Sequence, residues 1–116
     1  MRVLITGSRE WTDVATMCEE FCKLPDDTVI IHGGARGADT MADQMARGEH
    51  MRVEVFPADW KAHGKAAGPL RNQQMLDEGK PDLVLAFPTP KSRGTWDMVR
   101  RAKSAGVEVR VIESRR

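Results

Sequence analysis

The chain of 116 residues has no tyrosine, only three tryptophans and three phenylalanines, two cysteines, and a net charge of just +1. Each shortage removes a class of explanation. A near-neutral chain exerts no general pull on nucleic acid or an anionic membrane, so any affinity for anions must be local. No apolar run approaches the ~20 residues needed to span a bilayer. The first strand is read as starting at Arg2, which leaves no room for a signal peptide, and a cytoplasmic protein is expected. The two cysteines, Cys18 and Cys22, stand four apart on a helical pattern. Nothing nearby completes a metal-ligand set of three or four groups, so no metal and no cofactor are expected. With Val14, Met17 and Phe21 they read as the buried apolar stripe of that helix, as free thiols. Also missing are a Walker A motif, a Ser–His–Asp set and the dinucleotide fingerprint Gly-x-Gly-x-x-Gly, since the first strand-to-helix turn has only Gly7. An ordinary NAD dehydrogenase is therefore not expected.

What is present is an alternation of two periodicities. Apolar runs at Val3–Thr6, Thr28–His32, Arg52–Phe56, Leu83–Phe87 and Val107–Ile112 alternate with helical patterns over Asp13–Lys23, Ala38–Gly48, Pro69–Glu78 and Thr95–Ala105. Strand–helix alternation with short connections predicts an α/β fold, a three-layer sandwich with a parallel sheet and right-handed crossovers. An apolar share of 41% and a charged share of 30% are those of an ordinary globule, read as one domain over 1–113 with a frayed tail at 114–116.

The texture of the strands predicts their order. Val3-Leu4-Ile5, Val29-Ile30-Ile31 and Leu83–Phe87 are continuously apolar, as strands covered on both faces must be. Val53-Glu54-Val55 and Val107–Val111 alternate, which suits edges. A Rossmann-like order of 3-2-1-4-5, with helices on both faces, puts the alternating strands outside; a flavodoxin-like 2-1-3-4-5 does not. In the Rossmann-like order the chain reverses direction between strands one and four, and ligands bind at the carboxyl ends of the strands there.

The loops facing that point carry anion-binding groups. Gly33-Gly34-Ala35-Arg36-Gly37-Ala38-Asp39 follows a strand and opens a helix, where unpaired amides and the helix dipole attract phosphate. The glycines also fit a plain tight turn, and Asp39 also fits simple complementation of the helix start. Ser8 and Arg9 follow strand one; Lys91, Ser92 and Arg93 follow strand four. Arg71 is placed in the first turn of a helix begun by Pro69, an unfavourable place for a cation unless an anion, from a ligand or from the protein, faces it. Trp11, Trp60 and Trp96 lie at the carboxyl ends of strands, either stacking on a base or capping the sheet. His63, within Lys61–Lys65, belongs to a lid or to a plain polar loop.

With those residues laid out, a family resemblance is visible. Ile5-Thr6-Gly7-Ser8-Arg9-Glu10-Trp11, His32–Asp39, Phe56–Trp60, Gly68-Pro69-x-Arg71-Asn72 and Arg93-Gly94-Thr95 together resemble the YspA-type branch of the SLOG superfamily, over nearly the whole chain in order. The resemblance implies a Rossmann-like domain binding a small phosphorylated nucleotide or a nucleotide-derived, ADP-ribose-like ligand through Gly7, Ser8, Arg9, Gly33, Gly34, Arg36, Gly37, Asp39, Arg93, Gly94 and Thr95. It also implies a homodimer, since related proteins often pair. A second implication comes from the LOG phosphoribohydrolases of the same superfamily, which cleave the N-glycosidic bond of nucleoside monophosphates. Arg71-Asn72-Gln73-Gln74-Met75 and Ser92–Met98 match their two motifs in part, with Arg71 and Asp97 as the catalytic candidates, although Met98 stands where the motif ends in glutamate. The glycine stretch is also similar to that of DprA, a single-stranded DNA binder. The near-neutral charge argues against nucleic acid as the partner, because such binding rests on phosphate neutralisation.

Overall fold

The computed structural model describes all residues, 1–116. In chain order the elements are β1 (Arg2–Gly7), α1 (Val14–Cys22), β2 (Val29–His32), α2 (Ala38–Gly48), β3 (Arg52–Val55), α3 (Trp60–His63) running through a 3-10 turn at Gly64–Ala66 into α4 (Ala67–Gly79), β4 (Leu83–Phe87), α5 (Arg93–Ser104) and β5 (Glu108–Val111). All neighbouring strands pair in parallel, in the order β3-β2-β1-β4-β5.

The two-residue period of the strands builds two separate cores. Val3, Ile5, Ile30, Leu83, Leu85 and Phe87 face α1 and α2, meeting Met17, Phe21, Ala38, Ala42 and Ala46. Leu4, Ile31 and Val84 point the other way, against Met75 and Leu76 of α4 and Met98 and Ala102 of α5. A strand in the middle thus needs apolar residues at every position, and full burial of each such side chain contributes ~1.5–3 kcal/mol. Trp11 closes the first core by standing edge-on to Phe87, ring centroids 5.2 Å apart. It is core, and its indole N–H donates to the Asp13 carbonyl.

The helix starts correct two expectations. Cys18 and Cys22 are exposed, as is Val14, and α1 turns Thr16, Met17, Glu20 and Phe21 inward. Its rotation follows the larger side chains, Met17 and Phe21, and the Asp13–Thr16 cap; the thiols lie on the margin of the apolar arc. Helix α4 begins at Ala67, two residues before Pro69. Any of the first amides of a helix lacks an intrahelical acceptor, so a proline is tolerated throughout the first turn and does not mark its first residue. Arg71 accordingly lies beyond the first turn. The Lys61–Lys65 segment is short helix α3 and its 3-10 turn, with Asp59 capping through Ala62 N–H at 3.1 Å.

The C-terminal residues fold back on α1. Asp13 accepts from the Thr16 amide (3.1 Å) and hydroxyl (2.7 Å), the Ser114 hydroxyl (2.7 Å) and the Arg115 amide (3.0 Å). Arg115 also pairs with Glu19, and Arg116 with Thr12. The Thr16 hydroxyl first, then that of Ser114, hold the Asp13 carboxyl far below its ordinary value. A carboxyl depressed in the folded state contributes stability above its unfolded pKa of about 3.9, and that contribution is lost as the pH falls through the folded value. Asp13→Ala is therefore expected to melt lower than wild type at pH 7, with the gap narrowing on acidification; thermal melts from pH 7 down to pH 2 check this.

Candidate functional site

The first crossover helix packs on one face of the sheet and α5 on the other, so the loops after β1 and β4 part and leave a crevice of about 830 Å³. Its floor is held by short contacts. The Ser8 amide donates to the Phe87 carbonyl at 2.9 Å, and the Ser8 and Thr89 hydroxyls lie 3.0 Å apart. A Cβ on Gly7 would stand 2.4 Å from that of Ala38, so glycine is needed where β1, β4 and α2 converge. Gly7, Ser8, Arg9, Asp39, Arg71, Arg93, Gly94, Thr95 and Asp97 all line this crevice, with Trp60 and Trp96. A smaller hollow of about 330 Å³ adjoins it, lined by Gly33, Gly34, Arg36, Pro57 and Ala58 and sharing Arg9, Ala35, Trp60 and Arg71. Gly37 opens into neither. It packs beneath the Ser8 and Arg9 carbonyls. Arg36 reaches across to Glu10 at 3.2 Å, on the surface.

The glycine turn, expected to cradle phosphate with its amides, turns those amides inward. Gly33 N–H and Ala35 N–H both donate to Oδ2 of Asp39, at 3.1 and 3.3 Å. Gly34 N–H donates to Nδ1 of His32 at 2.9 Å, which leaves the proton on Nε2 to meet Asp43 at 2.8 Å. Ala38 N–H donates to the Ser8 carbonyl. The turn is thus wrapped around the protein's own carboxylate. Asp39 is almost fully buried, and burial raises its pKa against the opposing pull of the Ala35 amide, His32 and Arg71. Arg71 donates to the Gly33 carbonyl at 2.7 Å. Its pKa is lowered by burial and by Arg9, with Asp39 opposing.

The other helix start at the crevice is different. Ser92 precedes α5, but its hydroxyl is tied to Thr89, donating to the carbonyl at 2.8 Å and accepting from the amide at 3.0 Å, so it does not cap. The amides of Gly94 and Thr95 take no backbone acceptor, and the buried Thr95 hydroxyl has no partner. Asn72, which in the sequence stood only inside matched motifs with no role assigned, joins α4 to α5 through the Gly94 carbonyl (3.1 Å) and Asp97 (3.0 Å). Asp97 also pairs with Arg101 at 2.8 Å and Arg100 at 3.2 Å. Burial pushes its carboxyl up, but the hydrogen bonds of Asn72 and Arg101 and the charges of both arginines outweigh that and leave the pKa below its usual value. Arg9 lies over the half-exposed Trp60, 5.7 Å from the ring centroid, in a cation–π contact.

Fold and site together define a Rossmann-like α/β protein with a cation-lined crevice at its topological switch point. The chain belongs to the YspA, cpYpsA-related SLOG family, which its residues 1–63 match. It is also similar to the Gene 61 protein of Mycobacterium phage D29, 45% identical over 117 aligned residues that cover 93% of each chain. Membership of this family suggests nucleotide-related binding or processing. No helix is long and apolar enough to cross a membrane.

Proposed function

We propose that the crevice binds a small phosphorylated nucleotide or an ADP-ribose-like derivative, with phosphate between the start of α5 and the guanidinium groups of Arg9 and Arg71. One observation carries this reading. Arg9 and Arg71 line both the crevice and the adjoining hollow, Arg71 bonded to the Gly33 carbonyl and Asn72 and Arg9 over Trp60, with no carboxylate paired to either. Like charges brought together in one crevice favour an anion between them. The open amides of Gly94 and Thr95 and the positive end of the α5 dipole lie at the same crevice, and the Thr95 hydroxyl beside them is buried and without a partner until a phosphate seats there. Asp39 occupies the amides of the glycine turn with negative charge, which favours phosphate at α5 over phosphate at α2.

Thermal-shift titration with AMP and ADP-ribose tests the reading. Thr95→Val keeps the shape and removes a hydroxyl that has no partner, so the unliganded protein is expected to melt at the same temperature or slightly higher. Phosphate-ligand affinity is expected to fall roughly tenfold, the loss of one charge-assisted hydrogen bond. No stabilisation of wild type by either ligand, or identical titrations of wild type and variant, overturns the proposal. The phosphoribohydrolase reading needs a group that protonates the departing base. Asp97, held ionised by three partners, carries no such proton, and binding without hydrolysis is the reading favoured. Release of free base from AMP, followed by chromatography, would reverse that preference.

A further inference from the structure

We infer that the ligand has two lobes joined by phosphate, and that the smaller hollow is a second subsite for a planar ring laid against Trp60. This deepens the proposed function and rests on it. The two cavities share four residues, and two of those are the unpaired guanidinium groups, Arg9 and Arg71. These two guanidinium groups, which no carboxylate pairs, therefore lie at the neck where the spaces adjoin; Arg36, which lines the smaller space alone, is paired with Glu10, and Lys65, Lys91, Arg93 and Arg100 line the larger space. A mononucleotide with its phosphate at that neck fills one side only. A molecule with its negative charge in the middle fills both.

The walls of the smaller hollow offer a flat ring a face to stack on. Gly33 and Gly34 present bare backbone, Pro57 and Ala58 present short rigid side chains, and Trp60 presents a ring that is 49% exposed. Trp60 is an exposed aromatic beside a cavity, whereas Trp11 is sealed into the core. A Cβ at 33 would lie 2.1 Å from Nη1 of Arg71, so the guanidinium lies directly against the Gly33 backbone where the two spaces adjoin. The exposed arginine now over Trp60, Arg9, is free to swing from the ring to phosphate when a base takes its place, because its guanidinium is held by that ring and by no hydrogen bond. The larger crevice holds the first lobe, with phosphate between the start of α5 and the neck.

The test compares ADP with diadenosine diphosphate by calorimetric titration of the whole chain. Both probes carry two phosphates, and only the second carries two rings. Wild type is expected to bind diadenosine diphosphate at least roughly tenfold more tightly, the order of one base–aromatic stack, with quenching of tryptophan fluorescence. Trp60→Ala is expected to bring the ratio of the two affinities close to one, and Trp60→Phe to keep most of it. Trp60 is at the surface and outside both cores, so these variants are expected to fold, which circular dichroism verifies. Equal wild-type affinities, or a ratio unchanged in Trp60→Ala, overturn the second subsite and leave the proposed function standing. Binding of neither probe overturns both.

Discussion

Gly37→Ala is expected to lose roughly 3–5 kcal/mol of stability, a large part of the ~5–15 kcal/mol that a domain has. Gly37 has φ 77° and ψ −123°, a combination that is open to glycine and strained for other residues. The space is also closed. A Cβ at 37 would lie 2.4 Å from the Ser8 carbonyl oxygen and 2.5 Å from that of Arg9, both backbone atoms. The Ser8 carbonyl accepts from Ala38 and Trp11 amides, so it cannot withdraw without releasing the start of α2 and the turn after β1 together. Two other glycines serve as controls. At Gly34, φ is +71° but a Cβ would meet only a Val55 methyl at 3.2 Å, so alanine there is expected to cost less. At Gly94, a Cβ would meet nothing within 4 Å, and alanine in that helical position is expected to add up to about 1 kcal/mol. Urea unfolding midpoints of the three variants check the ranking; a Gly37→Ala protein within 1 kcal/mol of wild type would show that the turn is not the rigid joint described.

That ranking separates what the sequence could tell from what it could not. The sheet order was legible because Val3–Ile5 and Leu83–Phe87 are apolar at every position while Val53–Val55 and Val107–Val111 alternate, and a strand buried on both faces has no alternative composition. The bounds of β4 and α2 were legible for the same reason, since periodicity reports which faces are covered. Convergence of the strand-end loops followed from the order. The destination of single polar groups did not follow. Gly33-Gly34-Ala35 offers amides to any anion, and only the folded chain shows that Asp39, a few residues on, supplies one. The same holds for Asn72, whose bonds to Gly94 and Asp97 span more than twenty residues, and for the Ser114 hydroxyl on Asp13. Composition and spacing constrain faces; partners chosen across the fold leave no periodic trace. Cys18 and Cys22 failed for a related reason, because an apolar arc wider than the contact surface leaves its rotation to the largest side chains.

Arg71 is where stability and ligand binding meet, and Arg71→Met is expected to reduce both. Its Nη1 donates to the Gly33 carbonyl at 2.7 Å and its Nε to Asn72 Oδ1 at 3.2 Å, so it fastens α4 to the glycine turn. Leaving those acceptors without a donor is expected to cost about 1–3 kcal/mol, read from urea unfolding. Loss of a charge-assisted bond to phosphate is expected to lower the affinity for ADP by about 10–100-fold, read by calorimetry. The variant also removes the cation whose charge opposes the upward shift of Asp39. A carboxyl raised in the folded state destabilises above its unfolded pKa, and the cost disappears as the pH falls and the group takes up its proton. The stability deficit of Arg71→Met is therefore expected to be larger at pH 7 than near pH 4, the same direction as the Asp13→Ala gap, though here because a destabilising charge is relieved by acid. Asp39→Asn keeps an oxygen for the Gly33 and Ala35 amides and removes the charge. In that background the Arg71→Met deficit is expected to shrink and to lose its pH dependence, a non-additivity that contact through charge requires. Arg71→Lys is expected to recover the pH behaviour but only part of the affinity, because an ammonium restores charge without the paired donors of the guanidinium. If Arg71→Met lost stability equally at both pH values and bound ADP as wild type does, the arginine would be a fastening between α4 and the turn and nothing more.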